Sequence, residues 1–133
     1  MNNSLYFNFY SGISGDMLIG SLIDLGINTD ILKKTLSKID KGLSINTRKV
    51  LRGLNKCTLI EPVIPKSLDK IFNWNELKKF ADYVKDEPKV YQNFIETIEL
   101  IEKSELNVHA SGSSKPHELG NFDTVFDIVC FYK

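Results

Sequence analysis

Two short stretches of this chain concentrate the residue types that could do chemistry. The first is Ser11-Gly12-Ile13-Ser14-Gly15-Asp16. Glycines let a backbone approach an anion closely, Ser11 and Ser14 bring hydroxyl donors, and Asp16 could hold a metal ion. A helix starting here would present unpaired backbone N–H groups at the positive end of its dipole. The spacing matches neither GxGxxG nor the Walker A pattern, which needs a Gly-Lys-Ser or Gly-Lys-Thr end. The competing reading is that Ser14 or Asp16 merely caps the helix.

The second stretch holds the only two histidines, His109 and His117, followed by Glu118, Asp123 and Asp127. Asp123 and Asp127 are four residues apart and so share one face of a helix. Imidazole and carboxylates converging from a loop and a helix start make a mixed nitrogen and oxygen donor set, suited to a divalent transition metal or magnesium. The spacing does not reproduce HExxH, and a surface loop followed by a well-capped helix accounts for the same residues. Other chemistry has less support. Cys57 and Cys130 lie far apart without a CxxC, which argues against a zinc site and for two buried free thiols. No serine sits in a GxSxG context. Arg48, Lys49, Arg52 and Lys56 read as a solvated strand face rather than a phosphate clamp.

The elements that would position these residues follow from periodicity. Leu5 to Tyr10 is a nearly continuous apolar run, which predicts a buried strand ahead of the glycine loop. Met17, Leu18, Leu22 and Leu25 predict a helix over 15–26 with Gly26 as its C-cap. Ile31, Leu32, Leu36 and Ile39 predict a second helix over 30–39, capped by Thr29 or Asp30. Two strands over 43–51 and 57–63 flank Gly53, with Pro62 marking an end or an edge. Helices are predicted over 74–84 and 88–105, and a last one from Phe122. The expected architecture is α/β: one domain over residues 1–133, a small mixed sheet from 5–10, 43–51 and 57–63, and helices covering it. The last helix is apolar on more than one side and ends at Phe131-Tyr132-Lys133. That predicts a need for cover from further along the chain, and hence a truncated domain.

Composition sets the outer bounds. With 133 residues, 42% hydrophobic and 26% charged, the chain is long and apolar enough for one real core. Seventeen basic residues balance seventeen acidic ones, so no electrostatic footprint points to nucleic acid or an anionic membrane. The N-terminus lacks a basic signal-peptide region, and no apolar run approaches the roughly 20 residues that span a bilayer. A cytoplasmic protein without membrane or nucleic-acid partners is the expectation.

The two stretches together carry a family resemblance. Tyr10-Ser11-Gly12-Ile13-Ser14-Gly15-Asp16-Met17, with Gly20 and Leu22-Ile23-Asp24-Leu25-Gly26, resembles the opening F-S-G-I-S-G-D-M loop and L-L-D-L-G helix end of LarC-type nickel insertion proteins. His117-Glu118-Leu119-Gly120, Asp123-Thr124 and Asp127-Ile128 resemble that family's H-E-V-G-x-x-D-[ST]-x-x-D-I signature. Val108-His109 resembles a V-H pair ahead of it, and Lys49-Val50 with Arg52-Gly53 a K-V-x-R-G stretch. The order matches across essentially the whole chain.

The resemblance implies insertion of nickel into a pyridinium bis-thiocarboxylate mononucleotide, making the nickel-pincer cofactor of lactate racemase-type enzymes. It also implies a metal chelatase of lyase type, dependent on CTP with magnesium or manganese. The phosphorylated pincer precursor would lie on Ser11, Gly12, Ser14, Gly15 and Asp16, and nickel on His117, Glu118, Asp123 and Asp127. The departures are Asn8 for an aspartate, Lys115 for a histidine, and no histidine-rich insertion. Relatives are also several times longer, so CTP-dependent turnover is not expected of this chain alone. It would then be an N-terminal module with a companion C-terminal chain, or a non-catalytic ligand-binding or assembly remnant.

Overall fold

The computed structural model describes residues 4–10, 12–108, 116 and 118–133. Five α-helices, one 3₁₀ helix and one antiparallel strand pair follow in the order α1 (Gly15–Asp24), α2 (Thr29–Ile39), β1 (Ser44–Arg52), β2 (Asn55–Val63), α3 (Trp74–Lys79), the 3₁₀ turn Phe80–Val84, α4 (Pro88–Val108) and α5 (Phe122–Tyr132). The α/β reading as a single small domain holds, and element boundaries fall close to those predicted. No helix among the described residues is long and apolar enough to cross a membrane.

The strands form a hairpin in a register that runs from Ser44↔Val63 to Arg52↔Asn55. A two-residue turn closes it. Gly53 there has φ 61, the left-handed value that a tight hairpin turn demands and that glycine adopts without steric cost. Pro62 lies near the end of β2, in a sheet whose strands are both edges, so its missing N–H breaks no central ladder.

One predicted strand does not form. Leu5 to Tyr10 has no ladder partner and runs as an irregular segment. The reason is that α1 occupies the flank of β2 where a third strand would pair. The Thr58 N–H donates to the Asp24 carboxylate at 3.1 Å, and Gly20 backs directly onto the Thr58 carbonyl. The sheet is therefore an antiparallel ribbon, not a mixed three-stranded sheet. Tyr6 and Tyr10 are left 91% and 97% exposed, while Phe7 and Phe9 stack at 5.8 Å on each other.

The last helix finds much of its cover within the domain, although Phe131 stays 41% exposed. Its apolar surface on several sides is met within the domain: Phe122, Val125, Phe126, Val129 and Cys130 are all buried. It packs on both α1 and α4, so a helix apolar nearly all round sits at the centre of the core. Phe80 meets Phe122 and Phe72 edge-on, each at 5.3 Å, the favoured geometry for aromatic pairs. Phe94, Phe122 and Phe126 are almost fully buried, and each contributes about 2 kcal/mol from apolar area removed from water.

Helix starts are chemically specified. Asn28 accepts from the Asp30 N–H at 2.8 Å. Asn73 and Glu76 form a reciprocal capping box, at 2.8 and 2.9 Å, ahead of α3. The helix predicted over 74–84 is α3 up to Lys79 and then tightens into the 3₁₀ turn.

The contact between α1 and β2 is the tightest helix–strand approach. A Cβ at Gly20 would lie 2.5 Å from the Thr58 carbonyl oxygen, and backbone cannot yield as a flexible side chain does. Gly20→Ala is expected to destabilise the domain by about 1–3 kcal/mol, read as a lowered midpoint in urea unfolding. An unchanged midpoint would show that α1 does not rest on β2 in this way.

Candidate functional site

The glycine loop and the C-terminal carboxylates come together at the start of α1. Gly12, with φ 86, makes the bend, and its N–H donates to the Phe9 carbonyl at 2.9 Å. Ser14 stands at the N-cap position, but its side chain does not cap the helix. Its hydroxyl donates instead to the Asp16 carboxylate, which also accepts the Met17 N–H at 2.9 Å. The capping role weighed for Ser14 is thus not the one its hydroxyl performs.

Against this loop lies Asp127, from the middle of α5. A Cβ at Gly15 would fall 2.1 Å from the Asp127 carboxyl carbon. Only a residue without a side chain admits the carboxyl at that spot. Asp123, one turn earlier on α5, faces the same way, as the four-residue spacing requires. Asp16, Asp123 and Asp127 then line one pocket of about 290 Å³, walled by Ile60, Pro62 and Phe126.

The electrostatics follow from that crowding. Burial, aided by the charges of Asp16 and Asp123, pushes the Asp127 carboxyl up from 3.8 to about 6. A perturbed acid in a pocket is a common mark of a functional site, though structural clusters also produce it. Burial, with Asp127 nearby, pushes the Cys130 thiol up to about 12, leaving it an inert core thiol. Cys57 differs from the expectation of burial. It is only half-buried and lines a second cavity.

That second cavity, of about 560 Å³, adjoins the first and shares Asp16 and Ile60 with it. Met17, Val50, Leu59 and Ile60 supply apolar walls, and Ser14, Ser21 and Thr58 supply hydroxyls. Asp24 is engaged by Lys49 and by the Thr58 hydroxyl at 2.5 Å. The Lys49 ammonium and then the Thr58 hydroxyl hold its carboxyl below the usual carboxylate range. Periodicity alone did not mark Asp24 and Thr58 as neighbours, because they lie on a helix and a strand 34 residues apart.

The predicted site residues therefore divide. Ser14, Gly15 and Asp16 border the same region as Asp123 and Asp127, whereas Gly12 lines a separate groove with Phe7, Phe9 and Leu18. Glu118 is exposed and does not line either cavity. Ser11, His109, Lys115 and His117 lie outside the described residues. Among the described residues, no group of three His, Cys, Asp or Glu side chains is placed to hold a metal ion by itself.

Comparison with known proteins adds a second line. The family model described as "Nickel insertion protein" matches residues 5–132. The pyridinium-3,5-bisthiocarboxylic acid mononucleotide nickel insertion protein of Alkaliphilus metalliredigens is 29% identical over 153 residues, covering 97% of this chain and 35% of its own length. Its counterpart in Thermotoga petrophila is 30% identical over 144 residues, covering 97% of this chain and 35% of itself. That of Staphylococcus epidermidis is 28% identical over 133 residues, covering 97% and 33%. The chain thus spans about a third of the length of the curated relatives it matches. No solved structure matches it.

The raised Asp127 acid makes stability depend on pH. With 3.8 unfolded and about 6 folded, the folded state binds more protons between those values, so stability falls as pH rises. The neutral-acid contribution is fully present below about pH 4 and is lost as pH passes about 6. Asp127→Asn is expected to flatten this decline and raise stability at pH 7.5 by about 1 kcal/mol, after allowance for solvent screening. Thermal melts of both proteins across pH 4–8 measure it, and an equal slope in the variant would remove the acid from the account.

Proposed function

Because this chain belongs to the nickel insertion protein family, we propose that it serves as an N-terminal module for loading nickel into a pyridinium bis-thiocarboxylate mononucleotide. The observation that carries the reading is the convergence of Asp16, Asp123 and Asp127 on one pocket beside the glycine loop. Two stretches more than 100 residues apart in sequence meet there. The precursor lies along Gly12, Ser14, Gly15 and Asp16, with Ser11 in the same loop. Nickel passes through the carboxylate pocket, with His117 as a further donor, whereas Glu118 stands exposed outside it.

Loose ligation suits a transfer step. Sulfur donors hold nickel more strongly than carboxylates do, so an oxygen-rich pocket can receive the hydrated ion and release it to the thiocarboxylates of the precursor. A closed ligand set would compete with the product. In this reading nickel is cargo, the carboxylates orient it and neutralise its charge, and Asp127 must shed its proton to take part.

The oxygen donors are of the kind that magnesium or manganese takes. A nucleoside triphosphate such as CTP does not fit here. Among the described residues, Arg52 alone is a cationic side chain lining either cavity, and the three carboxylates oppose its charge. No step is assigned to CTP in this chain.

A second reading keeps the ligand and drops the chemistry. Leu5, Tyr6, Phe9, Tyr10, Ile13 and Met17 form an exposed apolar margin beside the loop, which favours a binding or assembly domain working with a companion chain.

Nickel titration by calorimetry separates the two. Under the insertion reading the native chain binds nickel, and Asp123→Asn and His117→Ala each weaken that binding about tenfold or more, as loss of a direct ligand should. Nickel binding that ignores both substitutions would leave the binding or assembly reading.

A further inference from the structure

The 560 Å³ cavity has Asp16 and Arg52 at its ends, apolar walls, and on its lining an Asp24 carboxylate already paired with Lys49. One end is Asp16 and the shared rung at Ile60, bordering the carboxylate pocket. The other is Arg52, at the turn end of the hairpin, where it pairs with Asn55. Thr47 faces Ile60, so five residues of β1, or roughly 16 Å of strand, separate that rung from Arg52. Gly53 holds the turn that fixes where Arg52 leaves the strand.

The other cations of β1 are committed, and Lys56 on β2 does not line the cavity. Arg48 pairs with Glu61 at 3.2 Å. Lys49 is held by Asp24 and donates to the Thr58 hydroxyl at 2.8 Å. Arg52 makes no hydrogen bond or ion pair with the described residues, although it lines the cavity. The start of α1, the alternative place for an anion, is already negative. Asp16 takes the Met17 N–H there, and Asp127 presses on Gly15. A phosphate dianion would be repelled by both carboxylates.

From this polarity we infer that Arg52 is the phosphate anchor of the cavity. A pyridinium mononucleotide lies with its phosphate on the Arg52 guanidinium, its ribose against the Ser21 and Thr58 hydroxyls, and its ring substituents at the Asp16 end. The assignment rests on the functional reading above and refines it. The glycine loop takes the metal-accepting end of the precursor, and the hairpin takes the phosphate. Guanidinium matches phosphate with two parallel N–H donors, which an ammonium cannot do.

Calorimetry with pyridinium-3,5-dicarboxylic acid mononucleotide, the oxygen analogue, and with the nucleoside that lacks its phosphate tests the assignment. The native chain is expected to bind the mononucleotide about tenfold or more tightly than the nucleoside, the gain from one charge-assisted bidentate contact. Arg52→Gln should reduce mononucleotide binding to the nucleoside level and leave nucleoside binding unchanged. Arg52→Lys should keep part of the preference. Arg52 is exposed, so neither substitution disturbs the core. An undiminished phosphate preference in Arg52→Gln overturns the anchor while the nickel reading stands. Loss of that preference in Ser14→Ala instead would put the phosphate on the loop, and likewise overturn it. A native chain that binds neither compound ends this assignment and the precursor reading together.

Discussion

Everything at this site depends on how closely α5 approaches the start of α1. The Asp127 carboxyl lies where a side chain on Gly15 would have to be, so the two helices meet with backbone on one side and an acid on the other. That contact places Asp16 and Asp123 around the same pocket, and it is why Asp127 is a weaker acid than its type. An arrangement that concentrates negative charge in a half-buried pocket costs folding energy. Proteins commonly tolerate such a cost at functional sites.

The cost is offset nearby by ordinary packing. α5 is buried on nearly every side, between α1 and α4, and its aromatic residues join Phe72 and Phe80 in an edge-to-face cluster. Asp123 and Asp127 thus ride on a helix buried in the core, not on a loop. Precision matters for metal work, because a ligand displaced by even an ångström changes the coordination it can offer. The glycine loop is the softer partner. It is positioned by the Gly12 bend and by the tie between Ser14 and Asp16.

The two adjoining cavities sort ligand chemistry by charge. Carboxylates dominate the smaller one, and a single free guanidinium marks the far end of the larger one. A molecule that is anionic at one end and metal-binding at the other has one favourable direction in such a groove. Asp24 on the lining of the larger cavity is matched by Lys49, so the asymmetry rests on a few named residues.

Much of this was legible in the sequence. Apolar periodicity located all five helices and both strands of the hairpin, since burial imposes a 3.6-residue or two-residue repeat wherever a regular element meets a core. The two motif stretches were visible as well, because glycine, aspartate and histidine seldom cluster in that way without a backbone or ligand requirement. Family membership followed from their order. Tertiary structure alone decided the rest. Leu5 to Tyr10 reads as a strand, but a strand exists only with a ladder partner, and α1 covers the flank of β2 where one would pair. The last helix reads as apolar on several sides, and only the fold shows which of them are covered, with Phe131 left exposed. Arg52 reads like its basic neighbours, and only the fold shows that Arg48 and Lys49 pair with acids while Arg52, unpaired among the described residues, lines a cavity. Local spacing encodes what each segment prefers, whereas contacts between distant segments settle which charges are matched and which edges are covered.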